Sequence, residues 1–259
     1  MLDSVFMVVF LFVLALLSST LGTLIGAGGG FILTPLLVLL GFSPVEAVGT
    51  GLVMVLTSSV SASFVFHRQG RLSLKHGVIL GMLTLPGAFV GSWVLTMLDV
   101  QLFKVVFGLS LALISAYMIV KRRNDAADEM VYKSPSVLFQ NNYRSLVIPP
   151  VAGFVAAMFG IGGGILMAPA LIYLADIPTH IATATSKFIA LFSSFFALSM
   201  LLSYGLLNMV LLPTIAAAGL IGGQIGAVVS KHVKARMIKT IIAAAILTVS
   251  INILVRTLL

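Results

Sequence analysis

Eight apolar runs, split by a single long polar stretch, leave this chain few ways to fold. The runs cover about residues 4–40, 47–66, 77–98, 102–120, 145–175, 182–203, 206–230 and 237–255. A bilayer core about 30 Å thick takes roughly 20 apolar helical residues to cross, so the pattern predicts an all-α polytopic membrane protein. Only 8% of the residues are charged and 60% are hydrophobic, whereas a soluble domain has about 25% charged. A soluble enzyme or nucleic-acid module is thereby excluded. The formal charge of +8 is read as loop charge to be placed relative to the bilayer, not as the mark of a polyanion partner. With no Cys there is no disulfide framework, thiol chemistry or Cys-based metal site. The apolar N-terminus is expected to stay in the mature fold. Met1-Leu2-Asp3 lacks a positive n-region, and the run outlasts the roughly 7 to 15 residues of a cleavable signal.

The first and fifth runs are too long for one crossing, and each contains a glycine cluster: Gly26-Ala27-Gly28-Gly29-Gly30 and Gly160-Ile161-Gly162-Gly163-Gly164. Glycine disfavours helix by about 1 kcal/mol per residue relative to alanine, so each cluster predicts a break. The clusters also head a repeat. Gly26, Gly28, Gly29, Gly30, Pro35 and Pro44 meet identical residues 134 positions on, at Gly160, Gly162, Gly163, Gly164, Pro169 and Pro178. At a spacing of 135, Ala47, Thr50, Ser58, Ser59, Gly70, Gly87 and Gly91 meet Ala182, Thr185, Ser193, Ser194, Gly205, Gly222 and Gly226. Matched Gly, Pro and Ser are costly coincidences in so apolar a chain. The expected organisation is therefore an N-terminal transmembrane repeat at 1–120, a cytoplasmic polar linker at 121–144 and a C-terminal transmembrane repeat at 145–259. Each repeat would hold a glycine-broken first segment, hairpin or discontinuous, and three transmembrane helices.

Charge orients the halves. The loop near 70 carries Arg68, Arg71 and Lys75, whereas the matching loop near 205 carries no charge; the loop at 231–239 carries Lys231, Lys234, Arg236 and Lys239, whereas its counterpart carries Asp99. Positive loops face the cytoplasm, so equivalent loops fall on opposite faces, an inverted repeat. With the loops at 70 and 231–239 and the linker all inside, the segment 145–175 must start and finish on the cytoplasmic side. Its length is too short for two full crossings, which predicts a hairpin turning at Gly160 to Gly164, with Gly26, Pro35, Gly160 and Pro169 as its structural residues. The alternative is eight ordinary crossings, with the 231–239 loop violating the charge rule.

Broken helices are tolerated in a bilayer where the freed backbone is buried in protein or lines a wet cavity. A helix starting after Gly30 or Gly164 offers unpaired N–H groups and a positive dipole end to an anion, and two such ends converging near the midplane are the usual site of inverted-repeat transporters. Close packing of small residues is the alternative, and it is favoured for Gly87 to Gly91 and Gly222 to Gly226. The candidate substrate-binding residues are Gly28, Gly29, Gly30, Thr50, Gly162, Gly163, Gly164, Thr185, Ser186 and Lys187. Lys187 is either an anion contact or a snorkelling lysine. Ser58, Ser59, Ser193 and Ser194 either bind substrate or bond to their own helices. His67, His76 and His232 are expected to be solvated, and His180 is a lesser candidate for a proton role.

All seven Asp and Glu fall in loops or at segment ends. No buried carboxylate is left to relay protons or hold a cation, so the cargo is expected to be an anion. No metal site, cofactor or nucleic-acid partner is expected, and protease, esterase and P-loop signatures are missing. The doubled Gly-x-Gly-Gly-Gly-x-x-x-x-Pro, at Gly26 to Pro35 and Gly160 to Pro169, is followed by Pro44 or Pro178 and then Thr50-Gly51 or Thr185-Ser186. This pattern resembles the sulfite exporter TauE/SafE family of membrane permeases over nearly the whole chain. The resemblance implies movement of sulfite or a related organosulfur anion across the bacterial cytoplasmic membrane; alternating access about the midplane site is what an inverted repeat leads one to expect, with a proton or sodium ion as the candidate coupling partner. Thr50-Gly51 departs from the family's Thr-Ser pair and shifts weight to the second half. An uncoupled anion channel and a non-transporting scaffold stay open as alternatives; so do export against import, cargo identity and oligomeric state.

Overall fold

The computed structural model describes residues 2–120, 144–203 and 211–258. The expected linker, apart from Arg144, and Gly205 with its uncharged loop lie outside them. Every regular element among the described residues is an α-helix. The first half holds α1 (Leu2–Leu24), α2 (Gly30–Leu39), α3 (Pro44–Arg68), α4 (Leu74–Leu83), α5 (Leu85–Leu95) and α6 (Val100–Val120). The second holds α7 (Arg144–Phe159), α8 (Gly164–Tyr173), α9 (Thr179–Ser203), α10 (Leu212–Ser230) and α11 (Ala235–Leu258). Among the described residues four helices, α1, α3, α9 and α10, are long and apolar enough to cross a bilayer, and α4 with α5 makes a fifth span if taken as one. Phe64, Phe89, Trp93, Leu113 and Phe195 stand exposed on this bundle, as side chains facing lipid tails do.

Both glycine clusters break the helix where expected. Gly29 and Gly163 precede α2 and α8 with φ of 79° and 69°, a left-handed conformation that costs other residues roughly 1–2 kcal/mol. At the first break the chain doubles back. The amides of Ala27 and Gly28 bond to the carbonyl of Gly22, and a Cβ on Gly29 would overlap the carbonyl of Ser18. Further along, Leu36, Leu39 and Leu40 share a cleft of about 390 Å³ with Leu14 and Phe10, so α2 runs back along α1. Pro35 and Pro169 lie inside the short helices, not in the turns, and each removes one helical hydrogen bond.

The expected single run at 77–98 is bent by 42° between α4 and α5. Pro86 follows the break, and Thr84 there donates its hydroxyl to the carbonyl of Gly81. Proline disfavours helical geometry in the residue before it and cannot donate to the carbonyl four positions back. Gly153 of α7 packs so closely on the Thr84 carbonyl that a Cβ would overlap it.

Contacts cross between the halves. Gly87 and Gly91 of α5 lie against the Pro150 and Phe154 carbonyls of α7, while Gly222 and Gly226 of α10 lie against the Leu16 and Thr20 carbonyls of α1. These two motifs are packing surfaces, as their spacing indicated. The pair α6 and α11 is tied by the Ser250 hydroxyl donating to the Gly108 carbonyl at 2.9 Å. Phe107 of α6 stacks on Phe159 of α7 with centroids 4.6 Å apart.

Arg71, in the turn after α3, gathers one end of the bundle. It donates to the Ser230 hydroxyl at the end of α10 at 2.9 Å and to the His180 carbonyl at the start of α9 at 3.2 Å. Burial pulls its guanidinium down to about 10, which leaves it charged at neutral pH. Its bonds set the basic turn at 69–73 beside the basic turn that follows Ser230, and they set the end of α3 beside the start of α9.

Candidate functional site

The two glycine loops meet each other. A Cβ on Gly30 would overlap the carbonyl of Gly160, and a Cβ on Gly164 would overlap that of Gly26. These close approaches are reciprocal between positions 134 apart, and only a residue without a side chain permits them. At the start of α2 the amides of Gly29, Gly30 and Phe31 have no acceptor among the described residues; at the start of α8 the same holds for Gly162, Gly163 and Ile165. All six residues are buried. Two positive helix ends thus carry unbonded donors inside the protein, the arrangement that favours an anion.

The long helices α3 and α9 flank the loops. A capping box between Ser43 and Glu46 and Pro44 in the first turn start α3. Ser58 lies 10 residues from the end of α3 and 14 from its start, about 15 Å and 21 Å along the axis, which is near the middle of a helix long enough to cross a bilayer. Lys187, eight residues into α9, is fully buried and donates from Nζ to Ser58 Oγ at 2.7 Å. Snorkelling is thereby excluded, since the ammonium turns inward to the other long helix. Ser58 in turn donates to the Val55 carbonyl at 3.0 Å. Lys187 makes no ion pair among the described residues, and a buried charge without a counter-charge is costly unless a ligand supplies one.

Of the three remaining side chains, Ser186 bonds directly to a loop. Ser186 Oγ donates to the Gly26 carbonyl at 3.1 Å, which ties α9 to the first loop. Thr185 is fully buried, and its hydroxyl has no partner among the described residues. Thr50 is buried on α3, one residue before Gly51, which faces the Gly160 carbonyl. All ten candidates are therefore interior, and the structure brings the two loops, Ser186 and Lys187 into one connected region.

Four neighbours of the loops lie outside the ten candidates, and two of them, Thr34 and Val55, escaped the sequence reading. Ser194 Oγ is buried, has no partner among the described residues and lies 3.0 Å from where a Cβ of Gly162 would stand. Ser193, its neighbour, donates to the Gly162 carbonyl at 3.3 Å. Thr34, on α2, has a buried hydroxyl with no partner among the described residues and sits where a Cβ on Gly51 would be. Val55 of α3 touches both loops: its methyls face the α-carbons of Gly28 and Gly162. The repeat exposes the matched serines, but no sequence signal marks Thr34 or Val55, because neither has a polar counterpart in the other half.

The comparisons with known proteins agree with this architecture. Residues 11–253 match the family described as Sulfite exporter TauE/SafE. The chain is similar to "Probable membrane transporter protein YunE" of Bacillus subtilis, with 28% identity over 93% of this chain and 95% of the relative. It is also similar to "Probable membrane transporter protein ORF9" of Sinorhizobium, at 26% identity over 95% of this chain and 91% of the relative. A "Probable membrane transporter protein" of Xylella fastidiosa shares 29% identity over 85% and 86%. No solved structure matches the chain. With its whole helical core inside the matched span, the chain belongs to the sulfite exporter TauE/SafE family and has the build of an integral, multi-pass membrane transporter.

Proposed function

We propose that this protein is a secondary transporter of a small anion, sulfite or a related organosulfur anion, working by alternating access in the bacterial cytoplasmic membrane. One observation carries the reading. A fully buried lysine with no carboxylate partner among the described residues is held at 2.7 Å by Ser58, which is bonded to the carbonyl of Val55, and Val55 lies against both loops whose helix-start amides are unbonded. An oxyanion would accept from Lys187 and from the amides at the starts of α2 and α8, and Thr185 and Ser186 would add hydroxyls. Charge-assisted hydrogen bonds of this kind are worth about 1.5–3 kcal/mol each. The reading needs neither a cofactor nor a metal.

Alternating access follows from an inverted repeat, with residues 1–120 and 145–259 as its halves and 121–144 as a cytoplasmic linker. The antiparallel course of the equivalent helices α3 and α9 supports it, since Arg71 joins the end of one to the start of the other. The neighbouring basic turns after α3 and α10 fit a shared cytoplasmic face. The return of α2 along α1 fits a re-entrant hairpin. One repeat would then rock against the other about the glycine loops, with a proton or sodium gradient as drive.

Uptake of labelled sulfite into proteoliposomes, with a proton or sodium gradient of each sign, tests the proposal. Saturable, gradient-dependent uptake above empty liposomes is the expected result. Flux indifferent to both gradients would assign an uncoupled channel instead. No flux of sulfite, organosulfonates or carboxylates by folded protein would overturn the anion reading.

A further inference from the structure

The anion site has an apolar wall that its charge chemistry does not need. Val55 is fully buried, and a Cβ on Gly28 would lie 2.8 Å from its Cγ1 and 3.1 Å from its Cγ2. A Cβ on Gly162 would overlap the same Cγ1. Gly28 and Gly162 are repeat equivalents, so one isopropyl group fills the gap where the two loops converge. At the repeat spacing of 135 its counterpart is Ala190, two methyl groups smaller, which leaves the wall on one side of the junction only. The same residue supplies the carbonyl that anchors Ser58, and Ser58 anchors Lys187. The Ser194 hydroxyl, which has no partner among the described residues, lies 3.0 Å from the same Cβ position of Gly162.

An anion seated against the amides and Lys187 therefore has polar partners for its oxygens and one apolar surface for whatever else it carries. We infer that Val55 is a specificity-determining residue, which limits the uncharged substituent of the cargo and makes the site one for a bare oxyanion or an organosulfonate with a very small organic group. The inference rests on the anion-transport reading above. Its physical basis is volume: the gap between two backbone segments in contact cannot widen by side-chain rotation, so the room for a substituent is what Val55 leaves. A single methylene in such a pocket changes selectivity by roughly 10-fold to 200-fold.

The test compares labelled sulfite with labelled ethanesulfonate and butanesulfonate in proteoliposomes of the wild type, Val55→Ala and Val55→Thr. Wild type should carry sulfite in preference to the longer sulfonates. Val55→Ala should raise the butanesulfonate-to-sulfite ratio by about tenfold, mainly through a lower KM for the sulfonate. Val55→Thr, which keeps the shape of valine, should keep the wild-type ratio. Val55→Cys, intermediate in volume, serves if the alanine variant does not insert, and its ratio should rise in the same direction. Sulfite transport with ratios unchanged in Val55→Ala or Val55→Cys would overturn the role of Val55 and leave the anion reading standing. So would an equal rise in Val55→Thr, because volume would then not be the cause. A wild type that carries none of these anions would overturn both.

Discussion

The two glycine breaks are the same device in different surroundings. Each ends in a left-handed glycine, starts a ten-residue helix and presses one glycine on the other's carbonyl. The long helices beside them differ. Where α3 has Gly51, Leu52 and Val55, α9 has Ser186, Lys187 and Ala190 at the repeat spacing. In the second half the hydroxyl on the opposing loop comes from the long helix, as Ser186 donating to the Gly26 carbonyl. In the first half Thr34 of the short helix occupies that place and Gly51 makes room for it, while the counterpart of Thr34 is Ala168. The exchange of Thr34 and Gly51 for Ala168 and Ser186 keeps one hydroxyl per loop. The repeat thus conserves a shape, and its chemistry has been divided: the charge sits on α9 and the apolar wall on α3.

The most severe way to break this comparison is to break what the two glycine loops share. Gly30→Ala and Gly164→Ala each push a methyl into a carbonyl of the opposite loop, and neither backbone can yield separately. Each should cost about 3 kcal/mol, at the upper end of overpacking, read as a lower unfolding midpoint in detergent and loss of the monodisperse peak. Equal losses would show that the loops support each other symmetrically. Next comes the charge that only one half has. Lys187→Ala should cut sulfite transport tenfold or more, the equivalent of one charge-assisted hydrogen bond, with the protein still inserted and folded; Leu52→Ala, at the equivalent position, should cut it far less. Unchanged transport in Lys187→Ala would remove the lysine from the site.

A smaller effect tests the hydroxyl exchange. Gly51→Ser alone should destabilise the protein by about 1–3 kcal/mol through overlap with Thr34. Thr34→Ala added to it should recover most of that loss, and a double-mutant cycle by thermal unfolding measures the coupling. Additive effects would mean that the two positions do not share the space. The mildest change is Thr185→Val, which removes a buried hydroxyl without a partner. Stability should hold or rise slightly, because that hydroxyl has no hydrogen-bond partner among the described residues, whereas transport should fall a few-fold in an uptake assay.

Much of this was legible before any contact was known. The doubled glycine clusters announced both breaks, since no helix continues through adjacent glycines with positive φ, and the packing role of Gly87, Gly91, Gly222 and Gly226 followed from their spacing. Candidates on α9 were visible because Lys187 is an isolated basic residue in an apolar run. The bend at Thr84 was signalled by Pro86 but masked by the uniform hydropathy around it. Thr34 and Val55 were invisible, since a threonine and a valine in a membrane helix are ordinary until something is known to lie against them.

By itself, the sequence determined the class of fold, the positions of the breaks, the twofold repetition and the family, because hydropathy, glycine and proline act within a few residues of themselves. Tertiary structure alone decided which carbonyl each glycine meets, that Lys187 turns inward to Ser58 129 positions away and that Val55 fills the gap between the loops. Those facts depend on how separate helices approach one another, and local periodicity along a chain carries no record of that approach.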